Sequence, residues 1–359
     1  MLWETLEENY IYFPLLEEQG INIESLKETT RQQLKNRITD INGFYHLLDS
    51  MFGKLQYFDH LCVLSPDDFT VYQSYYNSQY TDSNGWQKCL QNPQTQAIYE
   101  YLQNSPTTSA TRVNSYPEVE VIYDNQRKAV TFIIVTFDNS VLERDKDFIN
   151  EYLPSLGNVD IAHIIFDISG NVGGSDYYWI NNIVAPFGGN YEWTDWWYLR
   201  DTEMTRSYFF DDLAPEPIGI ISNHTLPMFV DELGLTHYIK LPRQLSTDAT
   251  LDGTVLDARR WVIIDDKVYS SADSFSAFCK ATGWATLVGQ STHGGGQGTS
   301  PILISLSNTG LLVRFGGIAV ETPDGSLNTV TGIKPAIQII PLDENSRDAL
   351  NRLIDGEFP

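Results

Sequence analysis

Three short segments of the chain hold residue types whose setting could support chemistry. The first surrounds Ser270, in Asp265-Asp266-Lys267-Val268-Tyr269-Ser270-Ser271-Ala272-Asp273. An apolar strand pattern, RWVIID, ends at Asp265, and a helical pattern begins at Ser271. A serine at such a junction exposes its hydroxyl beside the positive end of a helix dipole. The N–H that follows it can stabilise a developing oxyanion. Alternatively Ser270 caps the helix, with Asp273 placed three residues on as in a capping box. The second segment is IIFDISGNVGGSDYYW, residues 164–179, in which a strand pattern runs into Gly170, Gly173 and Gly174. Glycines there permit a sharp bend and leave N–H groups open to an anion, or they simply form a tight strand-to-helix turn. No GK[ST] follows, so a nucleotide phosphate loop is not met. The third segment is Phe58-Asp59-His60-Leu61-Cys62, where His60 is either a general base or a structural histidine.

These residues need elements to hold them. Residues 1–60 carry helical spacing: Leu2, Leu6, Tyr10 and Phe13 precede Pro14, a charged stretch spans Ile23 to Ile38, and Asp40 stands before Phe44, Leu47, Leu48, Met51 and Phe52. From Val119 onward, short β-branched runs (VEVIY, AVTFIIVTF, IAHIIFDI, RWVIID, ATLVG) alternate with helical stretches at 142–153, 177–184 and 271–282. Several of the runs are apolar throughout, as strands buried on both faces are. The alternation predicts an α/β core. Between these regions, residues 65–116 are polar and aromatic without a clear period, and are expected to form an irregular cap or linker. The predicted division is a helical bundle at 1–64, the irregular segment at 65–116 and an α/β core at 117–359.

Composition narrows the function. Acidic residues outnumber basic ones 47 to 23 in 359 residues, and the formal charge of -24 repels nucleic acid and anionic lipid. Three cysteines without a CxxC, and six histidines without HExxH or another close pair, give no sequence support for a disulfide scaffold or a metal site. No apolar run reaches the ~18 residues of a membrane span. MLWETLEENY has neither the basic nor the apolar region of an export signal; a trimmed exported protein would read the same. The sequence leaves the compartment and the oligomeric state open.

Taken together, the segments resemble the tail-specific protease family, the carboxyl-terminal processing and tricorn-like serine peptidases. The resemblance covers nearly the whole chain outside 65–116. It is carried by LWETLEENYIYFP at the start, by Asp167-Ile168-Ser169-Gly170-Asn171-Val172-Gly173-Gly174 for the family's DxRGNxGG turn, and by Ser270-Ser271-Ala272-Asp273 for its Ser-x-x-Glu. Thr292-His293-Gly294-Gly295-Gly296, Pro323-Asp324-Gly325 and Gly332-Ile333-Lys334-Pro335-Ala336-Ile337 complete it. The resemblance implies a ClpP/crotonase-like core, a polypeptide substrate and no cofactor. It implies Ser270 as nucleophile, with the N–H groups of Gly173 and Ser271 as the oxyanion hole. One branch of the family places a lysine base about 25 positions after the serine, where this chain has Gly295. The tricorn-like branch uses a histidine from an early DH motif, which Asp59-His60 matches, so His60 is the implied base and His293 its rival. That branch orients the histidine with a glutamate shortly before the last motif. Here Ser326–Thr331 contains no acid, and Asn328 or Thr329 is left to do so. Ser169 and Ala336 stand where the family usually has Arg and Asp. The 57 positions from His60 to Pro117 are too few for the PDZ domain that many members insert. A competing reading is an inactive relative that binds peptide or glycan, in which Ser270 is only a helix cap.

Overall fold

The computed structural model describes residues 2–56, 58–79, 85–105, 119–209, 214–251, 253–296, 299–339 and 346–356. Two compact units emerge, one from 1–114, 197–239 and 299–319, the other from 115–196, 240–298 and 320–359. Strands Gly189–Leu199 and His237–Thr247 carry the chain between them.

The second unit is the α/β core. Its six-stranded sheet runs in the order Ile337–Gln338, Thr286–Gly289, Arg259–Ile264, His163–Asp167, Ala129–Ile133, Glu120–Asp124. Every neighbouring pair is parallel except the last, in which Glu120–Asp124 runs antiparallel along the edge. The apolar runs become central strands because both faces are covered. Side chains alternate across a strand, so Val130, Phe132, Ile164, Phe166, Val262 and Ile264 fall on one face, packed with Trp179, Phe275, Phe278 and Trp284. Ala129, Ile165, Trp261, Ile263 and Val288 fall on the other, packed with Ile339, Ala349 and Leu350. The mixed α/β class expected from the sequence is the class observed. The predicted helices at 142–153 and 271–282 are seen as Leu142–Ser155 and Ser271–Thr282. The stretch predicted at 177–184 is the short helix Asp176–Tyr178, continued by a π-helical turn, Trp179–Val184.

The first unit begins with four helices, Leu2–Asn9, Phe13–Glu18, Ile23–Arg37 and Ile41–Lys54, one more than the three stretches read from the sequence, because Pro14 stands in the first turn of a helix of its own. Asp40 starts the fourth by accepting from the Gly43 N–H at 2.8 Å. The strand Leu312–Phe315 pairs on one side with Cys62–Val63 and on the other with Ile302–Ser305. Residues 299–319 therefore belong with the N-terminal region, and the division at 64 and 116 is not the one these contacts draw. Pairings across 250 positions leave no trace in local pattern.

The expectation of an irregular 65–116 is also corrected. Its described part holds helices Pro66–Gln79, Trp86–Leu90 and Pro93–Gln103. Asn92 caps the third, with Pro93 in its first turn and Thr95, Tyr99 and Leu102 buried along one side. The helices meet through rings. Phe69 stacks on Tyr99 at 4.3 Å, and Tyr72 and Tyr76 lie 4.9 and 5.7 Å from Trp86. Tyrosine serves as the apolar residue here, so a hydrophobic period is hidden among Ser, Asn and Gln.

Phe275 is fully buried on the helix that follows Ser270 and touches the rings of Phe137, Trp179 and Trp284. Phe275→Ala is expected to cost about 3–5 kcal/mol in urea unfolding.

Candidate active site

The site is built where a strand becomes a helix. After Arg259–Ile264 the chain turns through Tyr269 and Ser270 into Ser271–Thr282. Ser270 adopts φ 55, ψ −124, a left-handed conformation that a residue with a Cβ takes only under constraint. Such a residue stores on the order of 1–3 kcal/mol of strain. Its N–H donates to the Gly294 carbonyl at 3.1 Å, and its carbonyl accepts from the Ser274 N–H at 2.9 Å. Ser270 occupies the cap position, but its side chain makes no capping hydrogen bond. The helix-cap reading of Ser270 is thus corrected.

The glycine turn lies directly against this junction. The Tyr269 N–H donates to the Asn171 carbonyl at 3.1 Å, and the Gly170 N–H donates to an Asp265 oxygen at 2.9 Å. Gly173 has φ +93, and a Cβ placed on it would sit 2.6 Å from the Tyr269 carbonyl oxygen and 2.9 Å from the Ser270 Cβ. Only glycine permits so close an approach. The expected oxyanion donor needs correction, however. The Gly173 N–H is committed to the Asn171 side-chain oxygen at 2.9 Å, and the Asn171 amide is itself anchored on the Ile134 carbonyl at 3.0 Å. Among the described residues nothing accepts from the N–H of Gly174 or of Ser271, the latter being in the first helical turn, where no intrahelical partner exists.

Asp273 is the residue that the sequence reading undervalued. It does not return to the cap. Its carboxylate is fully buried and accepts from the Thr292 hydroxyl, from the Gly296 N–H at 3.0 Å and from the Asn328 amide at 2.7 Å. The Thr292 hydroxyl in turn accepts from the Ile333 N–H at 2.6 Å. One side chain so fastens the helix after Ser270 to the 292–296 loop and to the turn before Ile333. Burial pushes its pKa up to about 6, against the pull of the Thr292 and Asn328 hydrogen bonds.

Asn328, expected to orient a histidine, is held by Asp273 through its amide, while its oxygen is buried without a partner. The Thr329 backbone lies beside Gly294. His293 is exposed, its ring set edge-on to Tyr269 at 5.5 Å, with its backbone bonded to Val268. These residues, Ser270, Ser271 and Gly173 all belong to the second unit; His60 belongs to the first. There Phe58–His60 forms a tight turn in which Asp59 (φ 48) and His60 (φ 64) are both left-handed. The Tyr10 hydroxyl holds it at the Phe58 carbonyl and the Gly316 N–H at the Asp59 carbonyl. The imidazole is 8% exposed, with Nδ1 3.6 Å from the Asp59 carboxylate, beyond hydrogen-bond length. Asp167, from the glycine motif, accepts from Arg347 at 2.8 Å, a partner that the motif gave no reason to expect. Among the described residues no cluster of side chains suits a metal ion, and no helix is long and apolar enough to cross a membrane.

Comparison with known proteins gives the family. The profile of peptidase family S41 matches residues 133–339, and the chain belongs to that family. Membership places it among serine peptidases, whose substrates are polypeptides. No curated protein matches the chain. Among solved structures, a putative peptidase from Parabacteroides merdae shares the fold, at TM-score 0.55 and 16% identity over 98% of this chain and 94% of that one. A lipoprotein from Streptococcus agalactiae matches at TM-score 0.44 and 13% identity over 93% and 88% of the two chains. The photosystem II D1 C-terminal processing protease matches at 0.43 and 12% over 94% and 91%.

Two predictions follow from the packing. Gly173→Ala is expected to displace the glycine turn and lower the peptidase rate by ~100-fold or more, since a shift of about 1 Å at a site costs that much. Steady-state kinetics on folded variant protein checks it. For Asp273, the folded chain binds the proton more tightly than the unfolded chain does. Its contribution to stability is therefore full below about pH 4 and is lost as pH rises through about 6. Relative to Asp273→Asn, the wild type is expected to lose about 2 kcal/mol between pH 4 and pH 7 in urea unfolding.

Proposed function

We propose that this protein is a serine endopeptidase that is acylated on Ser270, with His60 as general base. The observation that carries the reading is the backbone of Ser270: a strained, non-glycine residue at a helix start whose hydroxyl is not used to cap that helix. A structural serine would relieve the strain or satisfy the helix; a nucleophile does neither.

In the proposed reaction His60 takes the Ser270 proton as Oγ attacks the scissile carbonyl, and the carbonyl oxygen becomes an oxyanion. The N–H of Ser271 donates to it, and Gly174 supplies the second donor in place of Gly173. Both donors are fixed by rigid turns, so they need no reorganisation as charge develops. The 12-residue helix behind Ser271 adds its positive end. The protonated His60 then gives its proton to the leaving amine, and water hydrolyses the acyl-enzyme by the same steps in reverse. Gly173 has a different task, to bring the turn close. Asp273 holds the surrounding loops in place from behind.

The second reading, an inactive relative that binds peptide, is favoured by Gly295 in the lysine position and by the absence of an acid in Ser326–Thr331. Turnover decides between them. On an unfolded protein substrate, Ser270→Ala is expected to abolish cleavage and His60→Ala to lower kcat by ~1,000-fold or more. Full activity in Ser270→Ala would refute the proposal. Unchanged activity in His60→Ala would move the base elsewhere, with His293 next to be tested.

A further inference from the structure

We propose that Asp176 determines specificity at this site by receiving the cationic side chain of a substrate lysine or arginine next to the scissile bond. The inference rests on the peptidase reading of Ser270.

Asp176 begins the short helix Asp176–Tyr178, three positions beyond Gly173. One carboxylate oxygen accepts from the Trp179 indole at 3.1 Å. The carboxylate also lies against the hydroxyl of Ser271, whose N–H is the proposed oxyanion donor. That hydroxyl makes no well-formed hydrogen bond, although Ser271 is only 5% exposed. The Asp176 carboxylate is the acceptor that lies nearest to it. A buried polar group without a partner costs ~1–3 kcal/mol, and this one sits beside an acid at the edge of the reacting centre.

The next charges out are Asp195 and Arg243, bridged at 2.9 Å. Arg243 is thereby bonded to Asp195 and not to Asp176. Burial raises the Asp176 pKa, opposed first by the Trp179 hydrogen bond, then by the Ser271 hydroxyl and by Arg243. An ionised Asp176 this close to the Ser271 N–H works against an oxyanion by simple repulsion. A substrate ammonium or guanidinium removes that repulsion and adds a charged donor to the Asp176 carboxylate. An apolar side chain does neither, and a site whose polar groups are left unpaired discriminates strongly.

Binding tests this without requiring turnover. In Ser270→Ala protein, a series of fluorescent heptapeptides differing only in a central Lys, Arg, norleucine or Glu is titrated at fixed salt. Lys and Arg peptides are expected to bind at least ~10-fold more tightly than norleucine. Asp176→Asn in the same background should level the series, and Asp176→Glu should restore part of the preference. Equal affinities across the series, binding too weak to measure for all of it, or a preference unaffected by Asp176→Asn would overturn the inference. Turnover of the same peptides by wild type reports separately on the peptidase reading. Cleavage without a basic preference removes the specificity pocket alone. A Lys preference in binding without any cleavage upholds the cation pocket and removes the peptidase reading.

Discussion

Everything at this site depends on how closely two backbones approach. The glycine turn and the strand-to-helix junction meet where Gly173 has no room for a Cβ and Ser270 is forced to positive φ. Neither condition is stable locally. The junction is held open from both sides, by Asn171 bonding Tyr269 and by Gly294 accepting from Ser270. The parallel sheet beneath fixes both ends, since Ile168 bonds to the Ile263 carbonyl and the strands His163–Asp167 and Arg259–Ile264 are neighbours in register. The cost of the strained serine is thus met by a core of buried aromatic and branched side chains.

Buried charge in this unit is arranged around the same junction. Asp273 sits behind it, saturated with donors from three segments, and behaves as a fastener. Asp176 sits beside the proposed oxyanion donor with a donor from Trp179 and a neighbouring hydroxyl left unsatisfied. Two carboxylates within a few residues of the nucleophile and of the glycine turn therefore have different tasks. What separates them is the number of hydrogen bonds each receives, not their distance along the chain.

Much of this was legible in the sequence, for identifiable reasons. The central strands were readable because burial on both faces makes them apolar throughout, and the helix after Ser270 because its apolar residues keep a helical period between a strand end and Gly283. The glycines at 170, 173 and 174 announced a turn. What they could not announce was which N–H was open, because the Gly173 donor is taken by the Asn171 side chain. Asp273 read as half of a capping box, since its true partners, Thr292, Gly296 and Asn328, lie 19 to 55 positions away. The helices between 66 and 103 escaped notice because rings of tyrosine and tryptophan replace the aliphatic period. The pairing of Cys62–Val63 with Leu312–Phe315 joins segments far apart in the chain, and nothing local encodes it.

The central claim is that Ser270 is an activated nucleophile and not a strained bystander. A fluorophosphonate reacts with such a serine whatever the natural substrate is. Intact-mass measurement of treated wild-type protein, followed by peptide mapping, tests the claim most directly. The account predicts a single adduct located on Ser270, absent from Ser270→Ala. Folded wild-type protein that takes up no adduct, or takes it up at another residue, would contradict it.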